Sequence, residues 1–171
     1  MKKIEVQQRV LQNGNIIKLE DFCWDEKTRT FSSEADELVL NFENIDRCTF
    51  DTMSNCTFVA GSNCTFKTGS NCTFDTMSNC TFKTGSNCTF DTMSNCTFKT
   101  GSKCTFDTSG ECTFVAGSKC TFVAGSKCTF DTSGECTFDT SGECTFKTMS
   151  NCTFKTGVFC TFDTGFNCTF V

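Results

Sequence analysis

The chain has 171 residues, with 21 Phe and 17 Cys but no Pro, Tyr or His, and a formal net charge of −5. The missing imidazole excludes a Ser-His-Asp triad, a Cys-His dyad and any His-ligated metal. The acidic balance argues against a surface built to hold nucleic-acid phosphates.

The first residues include Lys2 and Lys3 but no apolar stretch follows them, so no export signal is expected. No run approaches about 18 apolar residues, so no membrane span is expected either. Residues 1–47 carry no repeat. Within them KIEVQQRV (3–10), NIIKLEDFCW (15–24) and TRTFSS (28–33) alternate like strands, broken by turns at Asn13-Gly14 and Asp25-Glu26-Lys27. Trp24, near Phe22 and Phe31, is expected to pack beneath them. Residues 40–47 read as a degenerate first repeat, with Leu40 in the slot later taken by Cys and Phe42 in the Phe slot. The whole of 1–47 therefore predicts an N-terminal β cap that shields the open edge of a repeat array.

From Cys48 to Cys168 a Cys recurs at every eighth residue, in the unit C-T-F-x-[T/A] followed by a three-residue turn. A short fixed period predicts a solenoid, and eight residues are too few for a helical repeat. Unit position 1 is always Cys, position 3 always Phe and position 5 only Thr or Ala, while position 4 varies among Asp, Lys and Val. Alternation of this kind puts positions 1, 3 and 5 inside and positions 2 and 4 outside. The fold class is therefore all-β: a parallel β-solenoid over residues 48–171. Charge order at position 8 favours two units per 16-residue coil over three. At that period Glu111, Lys127 and Glu143 alternate in sign, and Lys119 falls beside Glu135. Roughly eight coils would then make a flattened rod of about 35–40 Å.

The Cys columns read as reduced, buried core filler, because no close C-x₂-C pairing suggests zinc and free Cys buries readily. No cofactor is implied. Outward Thr at position 2 (Thr49, Thr57, Thr65, Thr73, Thr81, Thr89 and Thr97 in the first units) forms a candidate ladder, and the Asn that precedes eight of the repeat Cys residues could add an N-x-T row. The eight Asn-Cys-Thr triplets match a glycosylation pattern, but without an export signal the Asn residues are better explained as turn formers. Near the C-terminus the turn residues become apolar, at Val158, Phe159 and Phe166. Together with Phe170 and Val171 they mark a candidate association surface.

The doubled octad GSNCTFKT resembles the 16-residue coils of bacterial ice-nucleation proteins, in period and in Gly-Ser turns, over residues 48–171. That resemblance implies a surface that orders water. The chain departs from it in its Phe and Cys core and in the Lys and Glu residues that interrupt the Asn row. More loosely, the one central Phe per unit resembles the pentapeptide-repeat proteins, some of which are acidic DNA mimics that dimerise through a C-terminal end. The repeat segment here carries 8 Lys against 10 acidic residues. Cys-Thr-Phe octads also resemble repeats in uncharacterised proteins of bacteriophages and large viruses, which would suit a virion component.

The expectation from sequence is a non-enzymatic, cytoplasmic rod or assembly module. It would associate end to end with another copy or continue into a further C-terminal domain, without binding nucleic acid or membrane. A surface binder for ice or a repetitive polymer is the alternative, and an acidic DNA mimic the second.

Overall fold

A computed structural model describes residues 1–171. From Thr30 onward the chain winds as a two-sheet parallel β-solenoid, with a longer first turn that brings Phe31 beside Phe50 and Leu40 beside Phe58, and 16 residues per turn from Thr49 on. The first sheet contains the strands Thr30–Ser32, Thr49–Asp51 and Thr65–Lys67 and continues to Thr161–Thr164. The second contains Leu38–Phe42, Thr57–Ala60 and Thr73–Thr76 and continues to Thr169–Phe170. Each sheet has nine parallel strands, one more than the expected eight coils. Upstream pairing accounts for the extra rung, since Phe31 stands in register with Phe50 and Leu40 with Phe58. The rod is about 40 Å long at the usual strand spacing.

The expected alternation is present in strand after strand, with Phe and the preceding Cys buried and Thr and position 4 facing out. Phe residues stack along each sheet at 4.7–5.1 Å between ring centroids, as in Phe50–Phe66, Phe106–Phe122 and Phe154–Phe170. Between sheets the rings meet edge to face, for example Phe90–Phe98 at 5.2 Å and 76°. Both geometries suit the aromatic quadrupole. The result is one continuous core rather than a string of separate clusters.

Cysteine fills the slot beside each corner for a specific reason. Its thiol reaches the carbonyl two residues back and, commonly, the one nineteen back on the preceding rung. Cys64 Sγ donates to Ser62 O at 3.5 Å and to Ile45 O at 3.7 Å, and Cys80 Sγ donates to Gly61 O at 3.5 Å. A small apolar group that is also a weak donor thus adds a second bond to corner carbonyls that already accept a backbone N–H from a neighbouring rung, as Ser62 O does from Arg47 N at 3.0 Å and Ile45 O from Gly61 N at 3.3 Å. Position 5 has room for Ala or Thr. Thr76 and Thr108 bury their hydroxyls without a partner, while Ala60, Ala116 and Ala124 occupy the same slot.

Every corner places unit position 8 in the left-handed region: Asn55 has φ 58°, Lys103 58°, Glu143 59° and Phe159 61°. Asn tolerates this conformation best among non-glycine residues, which explains its frequency here. The Asn residues therefore run along the corners, where Asn71 donates to Asn55 at 3.1 Å. They do not share a flat N-x-T row with Thr.

The N-terminal segment is less purely β than expected. Lys3–Gln7 is a short α-helix, started by the Lys2 N–H bonding Glu5 Oε2 at 2.6 Å. Its one buried residue, Val6, plugs the end of the core. A strand there would present Ile4 and Val6 to the same side, whereas the helix buries Val6 and leaves Ile4 exposed. Leu19–Asp21 is a 3₁₀ turn. Antiparallel strands Val10–Gln12 with Asn15–Ile16, and Cys23–Asp25 beside Thr30–Ser32, close the two sheet edges at this end. Trp24 lies 6.3 Å from Phe42 and donates to Met1 O at 2.8 Å. The degenerate unit is two residues out of the expected phase. Leu40 occupies the Phe slot and Phe42 the Thr/Ala slot opposite Ala60. A shift of two keeps the same face inward, so the alternation pattern could not distinguish the two registers.

Candidate functional site

The solenoid places the sequence-predicted residues in three distinct regions. Outward Thr residues separate by sheet. Thr49, Thr65, Thr81 and Thr97 form one in-register ladder that begins at Thr30 and runs on to Thr161. Thr57, Thr73 and Thr89 belong to the opposite face, in a ladder that continues to Thr169. Each face therefore carries a single Thr row. Its neighbour is the position-4 row, which holds Lys67, Lys83 and Lys99 on the first sheet and Asp75, Asp91 and Asp107 on the second. A charged row beside each Thr row makes both faces less regular than a surface of paired Thr rows.

The second region is the far end of the rod. Val158 is 70% exposed, Phe159 86% and Phe166 74%, at the two corner positions that earlier octads fill with Ser, Gly, Asn, Lys or Glu. Phe170 and Val171 are exposed in the final strand and just beyond it. The inward Cys160, Phe162 and Cys168 of the last turn are only partly covered. Phe159 combines an aromatic side chain with left-handed backbone, a strained choice for such a residue.

A third feature, a polar ladder, was not expected from the sequence. On one edge of the rod the Ser70 N–H donates to Ser54 Oγ at 3.0 Å, Ser86 N to Ser70 Oγ, Ser102 N to Ser86 Oγ and Ser118 N to Ser102 Oγ. Gly69, Gly85, Gly101 and Gly117 are required here. A Cβ at Gly85 would overlap Ser70 Oγ and lie 2.9 Å from Ser70 N. The available signal was a Ser followed fifteen residues later by Gly, as in Ser54 and Gly69. Where position 6 becomes Ser133, the ladder ends.

The thiols form two internal columns. Cys48 to Cys152 are buried, Cys160 and Cys168 half-buried and Cys23 exposed, with no disulfide among them. Burial pushes the Cys152 thiol up; contact with the Cys72 thiol, and then burial, does the same to Cys56. Cys48 is lowered to about 7, first by its hydrogen bond with Cys64 and then by Arg29, whose Nη2 lies 3.7 Å from its sulfur. In native protein a maleimide is expected to modify Cys23 rapidly and Cys160 and Cys168 slowly. The remaining fourteen should react only after unfolding, as intact mass against time would record. Rapid modification of the whole set would contradict this burial.

The largest concavity, about 720 Å³, lies beside the cap, where Glu20, Asp21, Cys23, Glu34 and Asp51 line it. No group of three or more Cys, Asp or Glu side chains is placed to hold a metal ion. No helix is long and apolar enough to cross a membrane. Comparisons with protein families, curated proteins and solved structures found no significant match, so the resemblances of the octad rest on its pattern.

Proposed function

We propose that this chain is a non-enzymatic structural rod, an assembly module that sets a fixed distance and joins a second copy through its C-terminal rung. The observation that carries the reading is the unbroken aromatic core: Phe rings stack along each sheet through eight successive rungs, Phe50 to Phe162 on the first and Phe58 to Phe170 on the second. Each rung is clamped by its neighbours through ladders and stacked rings, so bending requires many contacts to yield together. Support for the joining end comes from Val158, Phe159 and Phe166, large apolar residues exposed at adjacent corners beside the last strands. Reduced thiols suit a cytosolic setting.

Small-angle scattering and sedimentation test both parts. At about 500 mM salt, which screens contacts between charged faces, the expected particle is elongated, with a mass above that of one chain that falls to one chain in the Phe159→Ser/Phe166→Ser double variant. A monomer in both forms overturns the joining end, and a globular scattering profile overturns the rod.

The straight, in-register Thr ladders support a second reading, a binder of ice or of a repetitive polymer. Inhibition of ice recrystallisation that is lost on replacing Thr81 and Thr97 with Lys would favour it over the rod.

A further inference from the structure

The like-charged rows on the two faces carry an inference about lateral packing. Lys67, Lys83 and Lys99 stand directly in register on the first sheet, and Asp75, Asp91 and Asp107 stand in register on the second. Neighbouring strands are about 4.8 Å apart, so each row stacks charges of one sign at a spacing that repels. Only Lys67 has a partner, Asp51 at 3.0 Å; Lys83, Lys99, Asp75, Asp91 and Asp107 form no ion pair. All five are exposed. Apart from Lys67, each chain thus carries two uncompensated rows of opposite sign on opposite faces, with the same pitch.

We propose that these faces are complementary docking surfaces, the Lys face of one copy packing against the Asp face of a second copy with the rods antiparallel. Strands of the two sheets run in opposite directions around the coil. Turning one copy end over end about the sheet normal therefore brings the two position-4 rows directly opposite each other. In that register Lys83 meets Asp91, Lys67 meets Asp107 and Lys99 meets Asp75. The rungs on either side agree: Val115 falls opposite Val59, and Asp51 opposite Val123. No like charges meet across the seam from Asp51 to Val115, and the repulsion within each row is relieved by the facing row. Val115 and Val123, 43% and 46% exposed, would lose water in the same contact.

The two surfaces differ, so the contact is heterologous. A bound copy presents a fresh Lys or Asp face outward, and association continues into an open stack rather than closing as a dimer. A face of a few strands over seven or so rungs buries only about 400–500 Å² per partner, which places the contact among weak ones. Exposed ion pairs supply its specificity and make it salt-sensitive. The contact uses no residue of the joining end and does not depend on the rod reading.

Sedimentation in the Phe159→Ser/Phe166→Ser background tests the lateral contact without the end. At about 20 mM salt the mean mass should rise about two-fold or more with concentration, and about 500 mM salt should return it to one chain. In the same background, Lys83→Glu/Lys99→Glu has two acidic faces and Asp75→Lys/Asp91→Lys has its first face basic and its second face largely so. Each should stay monomeric alone at low salt, and an equimolar mixture of the two should assemble. A parent that stays monomeric at low salt overturns the proposal. Assembly of either variant alone, or a mixture that remains monomeric, does the same. Circular dichroism of each variant, matching the parent, separates loss of contact from loss of fold.

Discussion

Replacing Phe106 with Ala is expected to lower the unfolding free energy by about 3–5 kcal/mol, the range for a large buried ring whose site cannot collapse. Phe106 stacks at 4.9 Å on Phe90 and at 4.7 Å on Phe122, and meets Phe98 and Phe114 edge to face at 5.3 and 5.2 Å. All four neighbours are held by their own rungs, so none can move far to fill the gap. The defect should also weaken the coupling between the two halves of the rod. Chemical denaturation would report the loss, and hydrogen exchange would show protection falling first in the rungs beside residue 106. A loss under about 1 kcal/mol would mean that the stacked core is far looser than its geometry.

Deleting Lys103 alone should be more damaging than deleting the sixteen residues Cys80–Asn95. Removing one corner residue leaves a fifteen-residue turn, and the strand after it must either lose its corner or turn Cys104 and Phe106 outward. The expected outcome is rapid proteolysis near that site and loss of a single cooperative unfolding transition. Removing one full turn leaves every Cys, Phe and Thr on its original face and brings Phe66 into register with Phe98. That protein should fold into a rod about 4.8 Å shorter, as scattering would measure. Equal behaviour of the two deletions would contradict a register fixed by side-chain alternation.

Much of this fold was legible because the octad is written in residue types with sharply different burial preferences. Cys, Phe and the Thr/Ala slot repeat at even spacing, so direction inward or outward follows without knowledge of neighbours. Sixteen-residue stacking was also legible, through charges such as Lys119 and Glu135, which lie 3.5 Å apart. Where a single rule left two answers, sequence reasoning failed. Leu40 and Phe42 are both apolar at an alternating spacing, so a two-residue slip cost nothing in pattern. Lys3–Gln7 alternates well enough for a strand, yet the geometry of the plugged end selected a helix turn around Val6. The Ser–Gly ladder depends on an Oγ of one rung filling the space where the next rung has no Cβ, a contact between residues fifteen apart that no local pattern reveals.

Of the candidate surfaces, sequence identified the right residues but not their grouping. Thr81 and Thr89 are eight residues apart and face opposite directions, because one octad carries the chain from one sheet to the other. Val158, Phe159 and Phe166 stood out because the thirteen preceding octad corners carry only Ser, Gly, Asn, Lys or Glu at the same two positions.

Phe74 and Phe90 are coplanar to within 3°, so successive turns superpose almost without rotation. Residues 64–79 and 80–95 are moreover identical in sequence, and each block is one full turn. A copying error that duplicates such a block adds one rung and leaves the orientation of everything beyond it unchanged. Duplication of a single octad would instead exchange the two faces for the remainder of the chain. Length in this protein can therefore change by inheritance in whole-turn steps, without any residue having to adapt to a new environment.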